Sequence, residues 1–268
     1  MATLVTFHAH PDDESIACGG VMRKAHEDGH RVVLVVATRG EEGEVVEGVL
    51  ADGEPLWQRR VAETHAAAEV LGADRVEFLG YRDSGMMGEP TNTAPDSFWT
   101  APVEEAAQRL AAILTEENAD VLTCYDDNGG YGHPDHIQVH RVGMRAGELA
   151  GTPRVFQQTM NRDMFVAGVA AAAELGMEPT ELTEEEVARM STMGKPAAEL
   201  TASVDVTKYL DAKRDAMAAH ASQISESSRF LSIPPEAFAY LFGTEWFIRA
   251  GQGPGITETD LLAGIGTR

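Results

Sequence analysis

The run RVVLVVAT at 31–38 constrains the fold more than any other stretch. It is almost wholly apolar and β-branched, with no alternation of polar and apolar faces. A strand of that kind is covered on both sides, as in a parallel sheet flanked by helices. TLVTFH at 3–8 reads as another buried strand, and 14–28 between them reads as a helix with Gly29 as its stop. Strand, helix and strand within about 35 residues make a βαβ unit with a right-handed crossover.

The alternation continues. Helices are expected over 55–72, 102–118 and 134–151, the last with Pro134 in its first turn and Gly151 beyond its end. Strands are expected over 75–80, 120–125 and 154–160. The fold class is therefore α/β, an open, doubly wound, mostly parallel sheet with helices on both faces, over a core of residues 1–160. No linker divides the chain, so 1–268 is read as one domain with a C-terminal elaboration over 161–250. In that elaboration 162–176 and 183–194 look helical, and strands at 202–206 and 245–251 flank a helix at 208–224. The tail, 251–268, is rich in Gly and Thr, a composition that allows mobility. Segments 39–54 and 80–101 are long, irregular and acidic or Gly-rich. Both leave carboxyl ends of expected strands, the side on which open α/β sheets bind ligands.

Composition narrows the partners. A formal net charge of −22 disfavours nucleic acid and anionic membranes. The first residues lack the basic and apolar regions of a signal peptide, and no run approaches the roughly 20 apolar residues of a spanning helix. Two cysteines, Cys18 and Cys124, make no disulfide framework and suit a reducing cytoplasm, where both read as buried small hydrophobes.

The chemistry sits at two strand ends. Where a dinucleotide fold carries G-x-G-x-x-G, this chain has His10-Pro11-Asp12-Asp13-Glu14. Carboxylates there repel phosphate, whereas imidazole with carboxylate suits a divalent metal. The second cluster, DDNGGYGHPDHIQVH at 126–140, follows the strand ending at Tyr125. An imidazole from each cluster and one carboxylate make a three-ligand site with an open position, the catalytic form of zinc coordination. His10, Asp13 and His136 are the expected ligands. Asp12 is then a general base, His133 a donor to the oxyanion or to the leaving amine, and Asp135 a carboxylate that fixes an imidazole tautomer. Tyr131 on the glycine loop is placed to reach the oxyanion.

Blander readings compete. Asp12 and Asp13 would serve as helix caps, and Glu14 as a partner for the helix dipole. His140 stands four residues after His136 on one helical face, but position 137 is Ile, so the H-E-x-x-H glutamate is missing. His8 lies deeper on the same strand face as His10, and His26, His30, His65 and His220 carry no pattern.

AHPDDE at 9–14 together with GYGHPDH at 130–136 resembles the PIG-L/LmbE family of zinc-dependent N-deacetylases, in order, spacing and position after strands. YDDNGGYGHPDHIQVHR and GYRDSGM are most similar to its actinobacterial mycothiol branch, which holds an N-acetylglucosaminyl-inositol deacetylase and a mycothiol S-conjugate amidase. The resemblance covers about residues 4–160. It implies a Rossmann-like fold and hydrolysis of the N-acyl amide of an amino sugar or glycoside. It implies zinc, or iron(II) in the cell, on His10, Asp13 and His136, with Asp12 as base. It also carries Arg60 and Asp83 to the sugar, with Arg59 competing for the first role. Two other classes are open: a two-His-one-carboxylate iron(II) oxygenase, and a sugar-binding descendant without catalysis.

Overall fold

The computed structural model describes residues 1–172, 174, 183–228 and 230–265. Strand β1 (Thr3–His8) pairs in parallel with β2 (Arg31–Val36) on one side and β4 (Val121–Tyr125) on the other. Beyond β2 lies β3 (Arg75–Phe78), and beyond β4 lies β5 (Arg154–Thr159), both parallel to their neighbours. This is the doubly wound arrangement expected from the alternating runs. The sheet continues past β5 with two antiparallel strands, β6 (Ala202–Asp205) and β7 (Thr244–Arg249), in the order β3-β2-β1-β4-β5-β7-β6.

Side chains of β1 and β2 alternate between two cores, as the two-residue period of a strand requires. Leu4, Val32, Leu34 and Val36 pack on one face with Met22 and Leu71. Val5, Phe7, Val33 and Val35 pack on the other with Leu110, Leu114, Val139 and Val142. The first core is closed by α1 (Asp13–Ala17), α2 (Gly19–Glu27) and α3 (Leu56–Leu71), and the second by α4 (Val103–Glu116) and α5 (Pro134–Ala150). Chain leaving β1 therefore turns to one face and chain leaving β4 to the other. The carboxyl ends of these neighbours form the crevice where such sheets take ligands.

Some elements of the core and of the elaboration depart in detail from those expected. The helix expected over 14–28 breaks at Cys18, whose backbone leaves the helical region at φ −130° and starts α2 on a new axis. The helix expected over 162–176 is α6 (Arg162–Ala170), and its last residues fall partly outside those described. α7 (Glu184–Thr192) follows, and the helix expected over 208–224 is α8 (Leu210–Ala219). A helix not expected, α9 (Pro235–Phe242), precedes β7 and starts on a proline. In the C-terminal segment Leu261 and Leu262 are buried and Arg249 holds Glu258 at 2.6 Å, so the chain through residue 265 is packed down. Residues 39–54 form no helix or strand. Among the described residues no helix is long and apolar enough to cross a membrane.

Candidate active site

His10 lies two residues past the end of β1, and the turn behind it is unusual. Asp12 is in the left-handed region, φ 102° and ψ −29°, although it is not glycine. That conformation costs about 1–2 kcal/mol and needs local compensation. Its N–H donates to Glu14 Oε2 at 3.1 Å. From α3, buried Arg60 donates to Pro11 O at 2.5 Å, to Gly40 O at 2.9 Å and to Asp12 Oδ2 at 3.3 Å.

Asp13 opens α1, and its Oδ2 accepts the N–H of His10 at 2.8 Å. The same oxygen lies 3.5 Å from His10 Nδ1 and 3.3 Å from His136 Nε2. His136 comes from the first turn of α5. Its Nε2 is buried and makes no hydrogen bond, despite the carboxylate beside it. Ring nitrogens of His10, His133 and His136 also fall within 4.8 Å of one another. A buried imidazole nitrogen without a proton partner, next to a carboxylate and a second imidazole, is the donor set of a divalent transition metal. The residues present fit such an ion.

His10 Nε2 points the other way, 3.2 Å from Asp135 Oδ2 and 3.3 Å from Asp83 Oδ1. Donation to these carboxylates leaves the Nδ1 lone pair for the Asp13 side. Asp135 is itself held by Ser84, whose N–H and hydroxyl donate to it at 2.9 and 2.5 Å. The loop after β4 is shaped by Asp126, which accepts from Asn128 and Gly130 N–H and from the Thr159 hydroxyl. Gly129 is required there: at φ +60°, an added Cβ would lie 2.5 Å from His136 Cβ. His133 caps α5, its Nδ1 accepting the N–H of Asp135 at 3.1 Å. The ring proton is thereby assigned to Nε2.

Burial and neighbours set the charges. Asp13 is held well below the usual carboxylate range: burial opposes its charge, but His136 and His10 outweigh it. Burial also opposes the charge of His10, yet Asp83, Asp13 and Asp135 raise it well above the usual imidazole value. His133 is lowered to about 3 by burial and by His10 and His136, so it is neutral at pH 7. Asp12 is raised to about 6 by burial, against the pull of Arg60. Burial raises the Tyr131 phenol, which stays protonated.

A cavity of about 520 Å³ opens over this cluster, and His10, Asp12, Asp13, Arg60, Asp83, Tyr131 and His133 line it. Asp135 and His136 lie behind that wall, buried. All nine residues singled out in the sequence are thus gathered at one place. Arg60 has a part besides the expected one: it lines the cavity, and its guanidinium also engages the Pro11–Asp12 turn and Gly40. Arg59 pairs with Glu54 instead. His140 Nδ1 turns to Tyr125 O, and His8 Nδ1 meets the Tyr125 hydroxyl at 2.8 Å. Glu14 is fully buried, and its Oε1 lies 2.6 Å from His220 Nε2. Ser84, Asp126 and His220 were not marked by sequence reasoning. Only Asp126, ahead of a Gly-Gly turn, carried a local signal.

The description "PIG-L: GlcNAc-PI de-N-acetylase" belongs to a family model that matches residues 5–147. A curated relative, the 1D-myo-inositol 2-acetamido-2-deoxy-alpha-D-glucopyranoside deacetylase of Thermobifida fusca (strain YX), is 39% identical over 97% of this chain and 98% of its own. Among solved structures, N,N'-diacetylchitobiose deacetylase from Pyrococcus horikoshii superposes with a TM-score of 0.57 at 22% identity, covering 92% of this chain and 83% of that one. The 4-carboxy-2-hydroxymuconate hydratase of Pseudomonas putida KT2440 superposes at 0.56 with 18% identity, covering 97% and 99%. At those identities the structures establish the fold alone, and two different chemistries share it.

Proposed function

The chain belongs to the PIG-L family, GlcNAc-PI de-N-acetylase, and we propose that it is a metal-dependent hydrolase of the N-acetyl amide of an amino-sugar glycoside. The observation that carries this reading is Asp13 Oδ2 set between His10 Nδ1 and the unpartnered His136 Nε2, beside the Asp12 carboxylate on the cavity wall. His10, Asp13 and His136 would hold the ion, with zinc favoured by two imidazoles and one carboxylate. A divalent ion there lowers the pKa of a water and polarises the acyl carbonyl.

The remaining steps belong to the protein. Asp12 takes the proton of the attacking water, its carboxylate aimed by Arg60 and by the turn it closes. As the C–O bond forms, His133 donates its Nε2–H to the developing oxyanion. A neutral ring whose Nδ1 is already occupied favours that role over general acid. Asp12 then returns its proton to nitrogen as the C–N bond breaks, releasing acetate and amine. Asp135 and Ser84 hold the His10 ring, and Tyr131 offers its hydroxyl at the mouth. Asp83 lines the sugar side, where Glu42, Glu44 and Glu89 add negative charge. That rim suits an uncharged sugar–polyol better than a phosphodiester. The two buried free thiols fit the reducing cytoplasm.

The test is amine release by protein stripped with a chelator and reloaded with zinc or iron(II). Substrates are the deacetylase substrate named for the Thermobifida fusca relative, diacetylchitobiose and mycothiol-type S-conjugates. Release that requires metal, is abolished by both His136→Ala and Asp12→Ala, and is accompanied by metal loss only in the first, is expected. Oxygen consumption with substrate, or tight sugar binding without product, would overturn it.

A further inference from the structure

Asp12 is clamped on one side by Arg60, which donates to its carboxylate at 3.3 Å, and its own N–H is held on the other by Glu14 Oε2 at 3.1 Å. Glu14 does not stand alone. Its other oxygen meets His220 Nε2 at 2.6 Å and also accepts the Ser15 hydroxyl at 2.8 Å. Both Glu14 and His220 are fully buried, and they lie 206 residues apart in the chain. His220 follows the end of α8, and the residues after it grip the rest of the Asp12 surroundings. Ser222 donates its N–H and hydroxyl to Glu63 of α3 at 2.9 and 2.6 Å, one turn from Arg60. Ser222 O accepts the N–H of Val46, from the acidic loop that borders the cavity.

We propose that Glu14 and His220 are positioning residues for Asp12, holding its left-handed backbone so that the carboxylate faces the cavity. The geometry explains why a glycine is not needed at position 12. Glycine would take φ 102° without strain but would carry no carboxylate. A side chain can occupy that conformation when its N–H has a fixed acceptor and the preceding carbonyl a fixed donor. Glu14 is that acceptor, and His220 keeps it from rotating away. Without the imidazole, Glu14 would be a buried carboxylate held only by the Ser15 hydroxyl and the Asp12 N–H, free to turn away from that amide. The C-terminal elaboration thus reaches the reacting end of the core through one imidazole. The effect on turnover rests on Asp12 being the base, whereas the effect on its backbone does not.

His220→Ala and His220→Gln separate positioning from plain packing, because the glutamine amide can still donate to Glu14. Hydrogen–deuterium exchange at the Asp12 amide, with kcat, KM and bound zinc on the same samples, gives the readout. In His220→Ala that amide is expected to exchange at least about tenfold faster, and kcat to fall about 10–100-fold with KM and bound zinc unchanged. In His220→Gln both should stay near wild type. Should His220→Ala fail to fold, His220→Leu fills the space without a donor and carries the same expectation. A folded donor-less variant with a protected Asp12 amide, or a glutamine variant that loses that protection, would overturn the proposal. If the wild type hydrolysed no amide at all, the exchange measurement would still decide it.

Discussion

Arg60→Met tests whether the turn bearing Asp12 is held from outside. Arg60 is 3% exposed, and its guanidinium satisfies Pro11 O and Gly40 O as well as touching Asp12. Methionine conserves much of the volume but leaves Pro11 O without a donor, whereas Gly40 O keeps the N–H of Gly43 at 3.3 Å. An orphaned buried acceptor costs about 1–3 kcal/mol, so the loss is about 2 kcal/mol. For a chain of this size each kcal/mol moves Tm by roughly 2–4 °C, which gives a loss of about 4–8 °C in calorimetry. Removing the positive charge takes away the larger of the two cations that oppose burial of Asp12, leaving only His220, so its pKa rises above about 6. The base is active when ionised, so the acidic limb of the kcat/KM profile should move to higher pH, and turnover at neutral pH should fall at least about tenfold. A variant melting within about 2 °C of wild type with an unmoved limb would refute the claim that Arg60 holds this turn.

Gly129→Ala places a methyl 2.5 Å from His136 Cβ on a positive-φ backbone, so zinc affinity by calorimetric titration should weaken at least about tenfold while the fold melts cooperatively. Cys18 and Cys124 are buried and burial pushes both thiols up, Cys124 to about 12, so a thiol reagent should label neither until the protein unfolds. Below about pH 6 wild-type kcat/KM should fall as Asp12 takes a proton, and a profile flat to pH 4 would remove it as the base. Burial opposes both charges of the Glu14–His220 pair, but mutual attraction wins, lowering Glu14 and raising His220. Glu14 then adds stability above its unfolded pKa that is lost as pH falls through the lowered value. His220 adds stability that is complete below its own unfolded pKa and lost as pH rises through the raised value. The Tm gap between wild type and His220→Leu should therefore be widest between those limits and narrow on either side.

The central fold was legible because it is written locally. RVVLVVAT and DVLTCY carry their burial on both faces in their own composition, and Pro134 and Gly151 mark the ends of α5. The metal cluster was legible because each half of it occupies a few consecutive residues at a strand end. What escaped depends on distant partners. Near Cys18 only the Gly19-Gly20 pair hints at a break, and the helix breaks there while Glu245 of β7 accepts the N–H groups of Gly20 and Val21 at 2.8 and 2.9 Å. Glu14 reads as a first-turn acid until His220 is brought to it by α8. Arg60 reads only as a ligand for sugar until the carbonyls of Pro11 and Gly40 are seen to face it as well. Ser84 has no local signature at all, since its role is defined by Asp135.

Diffraction at the zinc absorption edge, from crystals grown with equimolar zinc, locates the ion among these side chains. One peak is expected, about 2.0–2.2 Å from His10 Nδ1, Asp13 Oδ2 and His136 Nε2. A peak bound by His133 in place of Asp13, one lodged among His10, Asp83 and Asp135, or none at all would contradict it.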